Sequence, residues 1–473
     1  MIRPMVTDAH GPLPRFPDGF LWGVSTSAHQ IEGAADLREP SVWDVFTAEP
    51  GRVKDGSTAA VACDHYHRYP EDVALLAGLG VDAYRFSVSW PRVNSPGGPD
   101  FYDRLVDALC EAEVQPVPTL FHWDLPAGLD WLDRDTAYRF ADHVSRVADR
   151  LGDRVRRWIT LNEPAEHTLL GHALGTHAPG RALLFDALPA AHHQLLAHGL
   201  AVRALRAAGA TDIGIANSHS PVQPASAGPA DVEAAAFYDL LLNRLFAEPV
   251  LLGAYPDGTA ALMPEGAEDD LRIIAEPLDW YGINYYAPAR VGAPQDKPTE
   301  FGGVPLPAEL PFSMVEFEGV PVTDFGWPVV PEALTGLLTG LRDRYGDRLP
   351  PLVITENGCS YEGLDDQDRI AYLDGHVRAV HAALAEGVDV RGYFVWSLLD
   401  NFEWAEGYAR RFGLVDVDFA TLRRTPKASY HWYRDLLGAQ RGQARPLGPP
   451  SGSGRFGPTA PSGTGETRKT GLS

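Results

Sequence analysis

Residues 83–164 read AYRFSVSWPRVNSPGGPDFYDRLVDALCEAEVQPVPTLFHWDLPAGLDWLDRDTAYRFADHVSRVADRLGDRVRRWITLNEP. Three short apolar runs, AYRFSVSW (83–90), QPVPTLFHW (115–123) and RRWITLNEP (156–164), alternate with two helix-like segments, YDRLVDALCEAE (102–113) and RFADHVSRVADRLG (139–152). Apolar runs separated by helix-length connections imply parallel strands with crossover helices, because a tight turn cannot join parallel neighbours. The alternation continues outward in both directions. Further runs are FLWGVSTS (20–27), DIGIANSHSP (212–221), LDWYGINYY (278–286), LPPLVITENG (349–358) and VRGYFVWSLLDN (390–401), with helix-like EDVALLAGLG (71–80) and IAYLDGHVRAVHAALAEG (370–387). Eight such runs with no linker between them predict an α/β fold: a single (β/α)8 barrel with elaborated βα loops over residues 1–440. The remainder, 441–473, is rich in Gly, Pro, Ser and Thr with almost nothing apolar, and is expected to be a disordered tail.

Composition narrows the function. The 473 residues are 45% apolar and 22% charged, enough to bury a large core. A formal charge of −23 disfavours phosphate backbones and anionic lipid, so neither nucleic acid nor membrane is expected as a partner. No run approaches the ~20 apolar residues of a membrane span. The first twenty residues hold no apolar stretch like a signal peptide, and Cys63, Cys110 and Cys359 form no disulfide framework or zinc motif. A cytoplasmic location is the expectation. The four lysines, Lys54, Lys297, Lys427 and Lys469, do not end a predicted strand, which disfavours a Schiff-base barrel.

The runs begin apolar and end in polar or aromatic residues: His122, Trp123 and Asp124; Asn162 and Glu163; Asn217 and His219; Asn284 and Tyr286; Glu356 and Asn357; Trp396 and Asp400. In a closed barrel those C-terminal strand ends converge on one face, where active sites form. A glutamate closing an apolar strand is costly unless it is paired or functional, and Glu163 and Glu356 are both so placed. Each alone reads as a satisfied structural carboxylate. On opposite walls of one barrel they could flank a scissile bond, and paired carboxylates are the working parts of glycoside hydrolysis. Trp123, Trp327, Trp396 and Trp404 could pack on the apolar faces of sugar rings, with Gln30, His122, Asn162 and Glu403 meeting hydroxyls. For any one tryptophan, core filling is the simpler reading.

The motifs FPDGFLWGVSTSAHQIEGA (16–34), SVWD (41–44), ACDHYHRYPEDVALLAGLGVDAYRFSVSWPRV (62–93), TLFHWDLP (119–126), TLNEP (160–164), GINYY (282–286), TDFGW (323–327), ITENG (354–358) and WSLLDNFEWAEGYARRFGLVDVDF (396–419) occur in this order. Over about Phe16 to Leu437 the chain resembles family 1 glycoside hydrolases, the β-glucosidase/β-galactosidase family. The resemblance implies Glu163 as acid/base and Glu356 as nucleophile, with Arg85 and Tyr286 holding the nucleophile ionised. It implies sugar contacts from Gln30, His122, Trp123, Asn162, Asn284, Trp396, Glu403, Trp404 and Phe412, with Trp327 lining the aglycone entrance and a cis peptide at Trp396–Ser397. It implies no metal or cofactor, a small β-glycoside substrate, and retention with the carboxyls ~5–5.5 Å apart. Terminal β-D-glucosyl residues of small glucosides or cello-oligosaccharides are the expected substrate, with β-galactoside or β-fucoside hydrolysis as the alternative within the family.

Other readings compete. A phospho-β-glycosidase would meet repulsion from Glu403 and finds no lysine in 396–419. Thioglucosidases lack an acid/base carboxylate, and receptor-like members lack one glutamate; this chain has both. A noncatalytic sugar-binding protein remains an alternative. Asp64-His65-Tyr66-His67 and His192-His193 with His198 lack the i, i+4 pair of a helical zinc site; His67 is expected near Asp72 or backbone, and 192–198 on a helix face. His29 stands where the family usually has Tyr, His172 falls where an aromatic is common, and 94–100 is shorter than the family pattern. Oligomeric state is not legible.

Overall fold

The computed structural model describes residues 11–442 apart from 302 and 303. The reading of 441–473 as a disordered tail therefore lies outside the described residues, save Arg441 and Gly442. The eight predicted runs form β1 (Leu21–Ser25), β2 (Ala83–Ser87), β3 (Gln115–Thr119), β4 (Arg157–Asn162), β5 (Asp212–Ser218), β6 (Tyr281–Asn284), β7 (Leu352–Asn357) and β8 (Val390–Trp396). They close into one barrel in sequential order, every pair parallel, with β8 beside β1. Around it lie α1 (His65–Leu79), α2 (Gly98–Glu111), α3 (Asp135–Leu151), α4 (Leu188–Ala207), α5 (Ala267–Ile274), α6 (Pro331–Tyr345), α7 (Gln367–Ala385) and α8 (Ala428–Gln440).

Side-chain alternation explains the two cores. Leu21, Ala83, Val117, Ile159, Ala216, Val353 and Phe394 come from seven different strands and pack with Trp280 inside the barrel. Their strand neighbours, such as Tyr84, Phe86, Ile213 and Ile215, face outward into the larger core beneath the helices. The fully buried Val117, Ile159, Val353 and Phe394 each contribute about 1.5–3 kcal/mol relative to exposure.

β3 is an unusual barrel strand, because Pro116 and Pro118 remove two backbone donors. The Gln115 N–H donates to the Asp82 carbonyl on the β2 side, so by alternation positions 116 and 118 point toward β4. There β3 and β4 register only at Thr119 and Ile159. The short 94–100 segment is accommodated by Gly97 at φ +74° and by Gly98, where a Cβ would lie 1.7 Å from the Arg92 carbonyl oxygen.

Helix starts differ from the sequence expectation. The helices expected from 71, 102, 139 and 370 begin at His65, Gly98, Asp135 and Gln367. Their first turns carry polar residues or proline, which break the apolar period without breaking the helix. A three-stranded sheet of Val222–Pro224, Ala289–Gly292 and Ser313–Met314 was not anticipated. With helix Pro229–Asp239 it builds a separate small core of Ala234, Ala235, Val291 and Phe312 beside the barrel mouth.

Candidate active site

Both glutamates are placed by local irregularity in their strands. In β7, Val353 belongs to the barrel interior, so strict alternation would turn Thr355 inward and Glu356 outward. A register shift between Ile354 and Glu356 lets both face the interior network. In β4 the register shifts between Ile159 and Asn162, and Glu163 then takes the left-handed conformation at φ +44°. Its N–H still donates to the Ala216 carbonyl at 2.7 Å, so the turn is pinned to β5. A β-branched or bulky side chain rarely accepts that backbone, which marks the position as one held by its surroundings.

One hydrogen-bond network joins the two carboxyls. Glu356 Oε1 accepts from Arg85 Nη1 at 2.5 Å, and Oε2 accepts from the Tyr286 hydroxyl at 2.6 Å. Arg85 also donates from Nη2 to Asn162 Oδ1 at 2.5 Å and from Nε to Thr119 Oγ1 at 3.1 Å. Asn284 Nδ2 donates to the same Asn162 oxygen and to Glu163 Oε1, both at 2.9 Å, while Asn284 Oδ1 accepts from Thr355 Oγ1 at 2.6 Å. Glu163 Oε2 has only the longer contact from Asn162 Nδ2 at 3.3 Å.

The environments separate the two protonation equilibria. Burial, then repulsion from Glu356 and Glu166, pushes Glu163 well above the usual carboxylate range. Burial raises Glu356 too, against the pull of Arg85 and Tyr286. Arg85 and Tyr286 thus favour the ionised form of Glu356, the role the resemblance gives them, against the cost of its burial. The order survives: Glu163 is pushed up further, so Glu356 loses its proton first. Glu403 is pushed up to about 8 by burial and by the charges of Glu356 and Glu406.

A cavity of about 580 Å³ opens over these carboxyls. Its wall includes Glu163, Glu356, Tyr286, His122, Trp123, Asn284, Trp327, Trp396, Glu403, Trp404 and Phe412 from the sequence reading. Gln30, Arg85 and Asn162, also expected as site residues, are buried and hydrogen-bonded directly to that wall, at Glu403, Glu356 and His122. Gln30 Nε2 is engaged with Asn401 Oδ1 and the Phe402 carbonyl at 2.9 Å, and with Glu403 Oε2 at 3.3 Å. Asn162 Nδ2 lies 3.1 Å from His122 Nε2, which makes that nitrogen the acceptor and leaves the proton on Nδ1. Burial, then Arg85, lowers the His122 pKa well below its usual value, consistent with a neutral ring.

Aromatic packing fixes the tryptophans. Trp404 has ring centroids 4.5 Å from Trp43 and 4.7 Å from Trp123, and stacks on His29 at 5.8 Å with 1° between planes. His29, the departure from the family's Tyr, is held neutral by burial, its pKa lowered to about 4. Trp123 donates its indole N–H to the Asn162 carbonyl at 3.0 Å. The Trp396–Ser397 peptide is cis, as the resemblance implied. On the opposite side Trp327 stacks on Phe325 at 4.4 Å and lies 5.9 Å from Phe412.

Several strand-end residues serve the scaffold instead. Asn357 donates to the Tyr285 carbonyl at 2.7 Å and accepts from Tyr393, Asn217 donates to the Tyr281 hydroxyl at 2.7 Å, and Asp400 pairs with Lys427 at 2.8 Å. Asp72 is met by His65 at 2.8 Å, whereas the exposed His67 pairs with Asp64, correcting the expected His67 contact. Among the described residues no cluster of three or more His, Cys, Asp or Glu could hold a metal, and no helix is long and apolar enough to cross a membrane.

Sequence reasoning missed the other half of the cavity wall. Leu169, Leu170 and Leu174 come from the widened helical segment around His167–Ala173, and Leu241, Leu242, Leu245 and Phe246 from a second one around Leu240–Arg244. Glu166, also on the wall, follows Glu163 by one helical turn. The loops lack the periodicity that betrays strands, so only proximity to TLNEP hinted at the first segment.

The sequence model of glycosyl hydrolase family 1 matches residues 13–441. A thermostable beta-glucosidase B from Thermobispora bispora is 46% identical over 91% of this chain and 92% of its own length. The crystal structure of psychrophilic beta-glucosidase BglU from Micrococcus antarcticus superposes with a TM-score of 0.84 at 44% identity, covering 90% of this chain and 98% of that one. A family 1 b-glucosidase from Thermotoga maritima in complex with isofagomine lactam gives 0.84 at 40% identity, over 90% and 99%. Conserved length, fold and family model agree: this chain belongs to glycosyl hydrolase family 1.

Proposed function

We propose that the protein is a retaining β-glucosidase, releasing terminal β-D-glucosyl residues from small β-glucosides with Glu356 as nucleophile and Glu163 as acid/base. The observation that carries the roles is the unequal partnering of two similarly buried carboxyls: Arg85 and Tyr286 clasp Glu356, while Glu163 has only neutral amide partners and two like charges nearby. In the first step a Glu356 oxygen attacks the anomeric carbon. The bond to the aglycone oxygen breaks, and that oxygen takes the Glu163 proton. Esterification removes the Glu356 charge, so Glu163 becomes the more acidic and accepts a proton from water. The water oxygen attacks the anomeric carbon, the ester bond breaks, and two inversions give net retention.

Glu403, His122, Trp123, Trp396 and Trp404 supply the sugar half of the cavity; Gln30, Asn162 and Arg85 hold those groups and the carboxyls in place. Trp327 and Phe412 border the leaving-group half. The relatives' names support glucose as the sugar.

Hydrolysis of 4-nitrophenyl β-glucoside, β-galactoside, β-fucoside, α-glucoside and 6-phospho-β-glucoside with chelator present tests the reading. Glucoside is expected to lead, with the α-anomer and the phosphorylated sugar inert; inactivity of folded protein on all β-glycosides returns the noncatalytic alternative. Glu163→Ala should lower turnover of poor leaving groups by about 10²–10⁴-fold while largely sparing 2,4-dinitrophenolate release. Equal damage to both substrate types would remove Glu163 as acid.

A further inference from the structure

Glu166 is a carboxyl that the reaction as derived does not use. It ends the short helix Pro164–Glu166 that directly follows Glu163, and its charge is close enough to be felt by the Glu163 carboxyl. That helix packs against the Leu240–Arg244 segment, so Glu166 shares a wall with Leu241 and Leu242. Its Oε1 accepts one hydrogen bond, from Ser218 Oγ at 3.0 Å. Ser218 closes β5 directly beside Asn284, which holds Glu163. The side chain is only partly buried, and it lines the cavity.

Leu169, Leu174, Leu245 and Phe246 line the same cavity, together with Tyr238, whose hydroxyl feels the Glu166 charge. A carboxylate can accept about four hydrogen bonds, and a single serine leaves most of that capacity facing the cavity. Placing such a group in a leucine-rich wall is costly unless a ligand donor meets it. It stands next to the acid/base, where the departing group must sit. We propose that Glu166 is a specificity-determining residue that accepts a hydrogen bond from a donor, best a protonated amine, on an otherwise apolar aglycone. This rests on the glycosidase reading above, which places the leaving group on that side of Glu163.

The test uses ω-aminoalkyl β-D-glucosides of three to six carbons, each against the alkyl β-D-glucoside longer by one carbon. Each pair matches in size and differs in one terminal group. At pH 7 the aminoalkyl substrate is expected to have the higher kcat/KM at one chain length by about ten-fold or more, the advantage lying mainly in KM. Glu166→Gln should reduce the advantage and Glu166→Leu reverse it, because a leucine wall rejects the ammonium. Removing the neighbouring charge in Glu166→Gln should also move the basic limb of the kcat/KM profile to lower pH, by easing deprotonation of Glu163. No advantage at any length in the unaltered enzyme overturns the proposal, and so does an advantage that persists in both variants. Hydrolysis of 4-nitrophenyl β-D-glucoside is followed in parallel. Its absence in the unaltered enzyme overturns the glycosidase reading and the aglycone assignment with it, whereas its presence with no amine preference overturns the latter alone.

Discussion

Glu403 and Leu174 line one cavity, yet they come from opposite ways of building a wall. On the Glu403 side the side chains stand on or just after barrel strands, backed by hydrogen bonds from Gln30 to Glu403 and by a separate network of Arg85, Asn162 and Asn284. On the Leu174 side two widened helical segments and the loops beyond β6 present mainly leucines and phenylalanines, with Glu166, Thr168 and Tyr238 among them. A rigid polar wall fixes one small ligand with many hydroxyls, since each unmet polar group there costs about 1–3 kcal/mol. An apolar wall recognises mainly area and shape, which tolerates variation. The difference teaches that the chemistry and the selectivity for the leaving group are separable parts of this molecule.

The most severe way to break the polar half is Glu356→Ala. Hydrolysis should fall by about 10⁴-fold or more, because nucleophile removal in a cooperating pair takes nearly the whole chemical advantage. Azide added to this variant with an activated β-glucoside should give the α-glycosyl azide, seen by NMR; a β-azide would show that the double displacement persists without Glu356.

A change in the apolar half should act differently. Leu174→Ser is expected to lower kcat/KM for octyl β-D-glucoside by about ten-fold, in line with the loss of a few apolar groups. Methyl β-D-glucoside, which does not reach that wall, serves as the internal reference. Equal losses on both substrates would mean that the two halves are mechanically coupled.

The smallest effect concerns the layer behind the polar wall. Burial pushes Asp124 up to about 8, against the pull of Arg38. The folded protein thus keeps a proton that the unfolded chain releases near the ordinary carboxylate pKa of about 4. That contribution to stability is complete below the unfolded pKa and fades as pH rises toward 8. Asp124→Asn should therefore lose less Tm between pH 5 and 8 than the unaltered protein, by a few degrees. Parallel Tm profiles would show Asp124 ionised within the fold.

Much of this was legible in the residues. The eight strands were readable because apolar runs interrupted by helix-length segments have few other solutions, and Glu163 and Glu356 stood out as carboxyls ending such runs. The helix starts and the small sheet around Ala289–Gly292 were not, since their stability comes from packing and not from a local period. Strand-end polarity also overpredicted the site: Asn357 and Asp400 looked like Glu356 in sequence, but neighbours absorb their hydrogen-bonding capacity.

The sequence by itself determined the barrel, the pair of glutamates and the family, because these depend on residue types at fixed positions along strands. Only the tertiary structure decided how Gln30 and Asn162 are tied to the cavity wall, that burial opposes Arg85 at Glu356, and that Glu166 lines the same cavity as Glu163 and Glu356. Those outcomes depend on desolvation and on which groups from distant strands share one small volume, and neither quantity is written in the local order of residues.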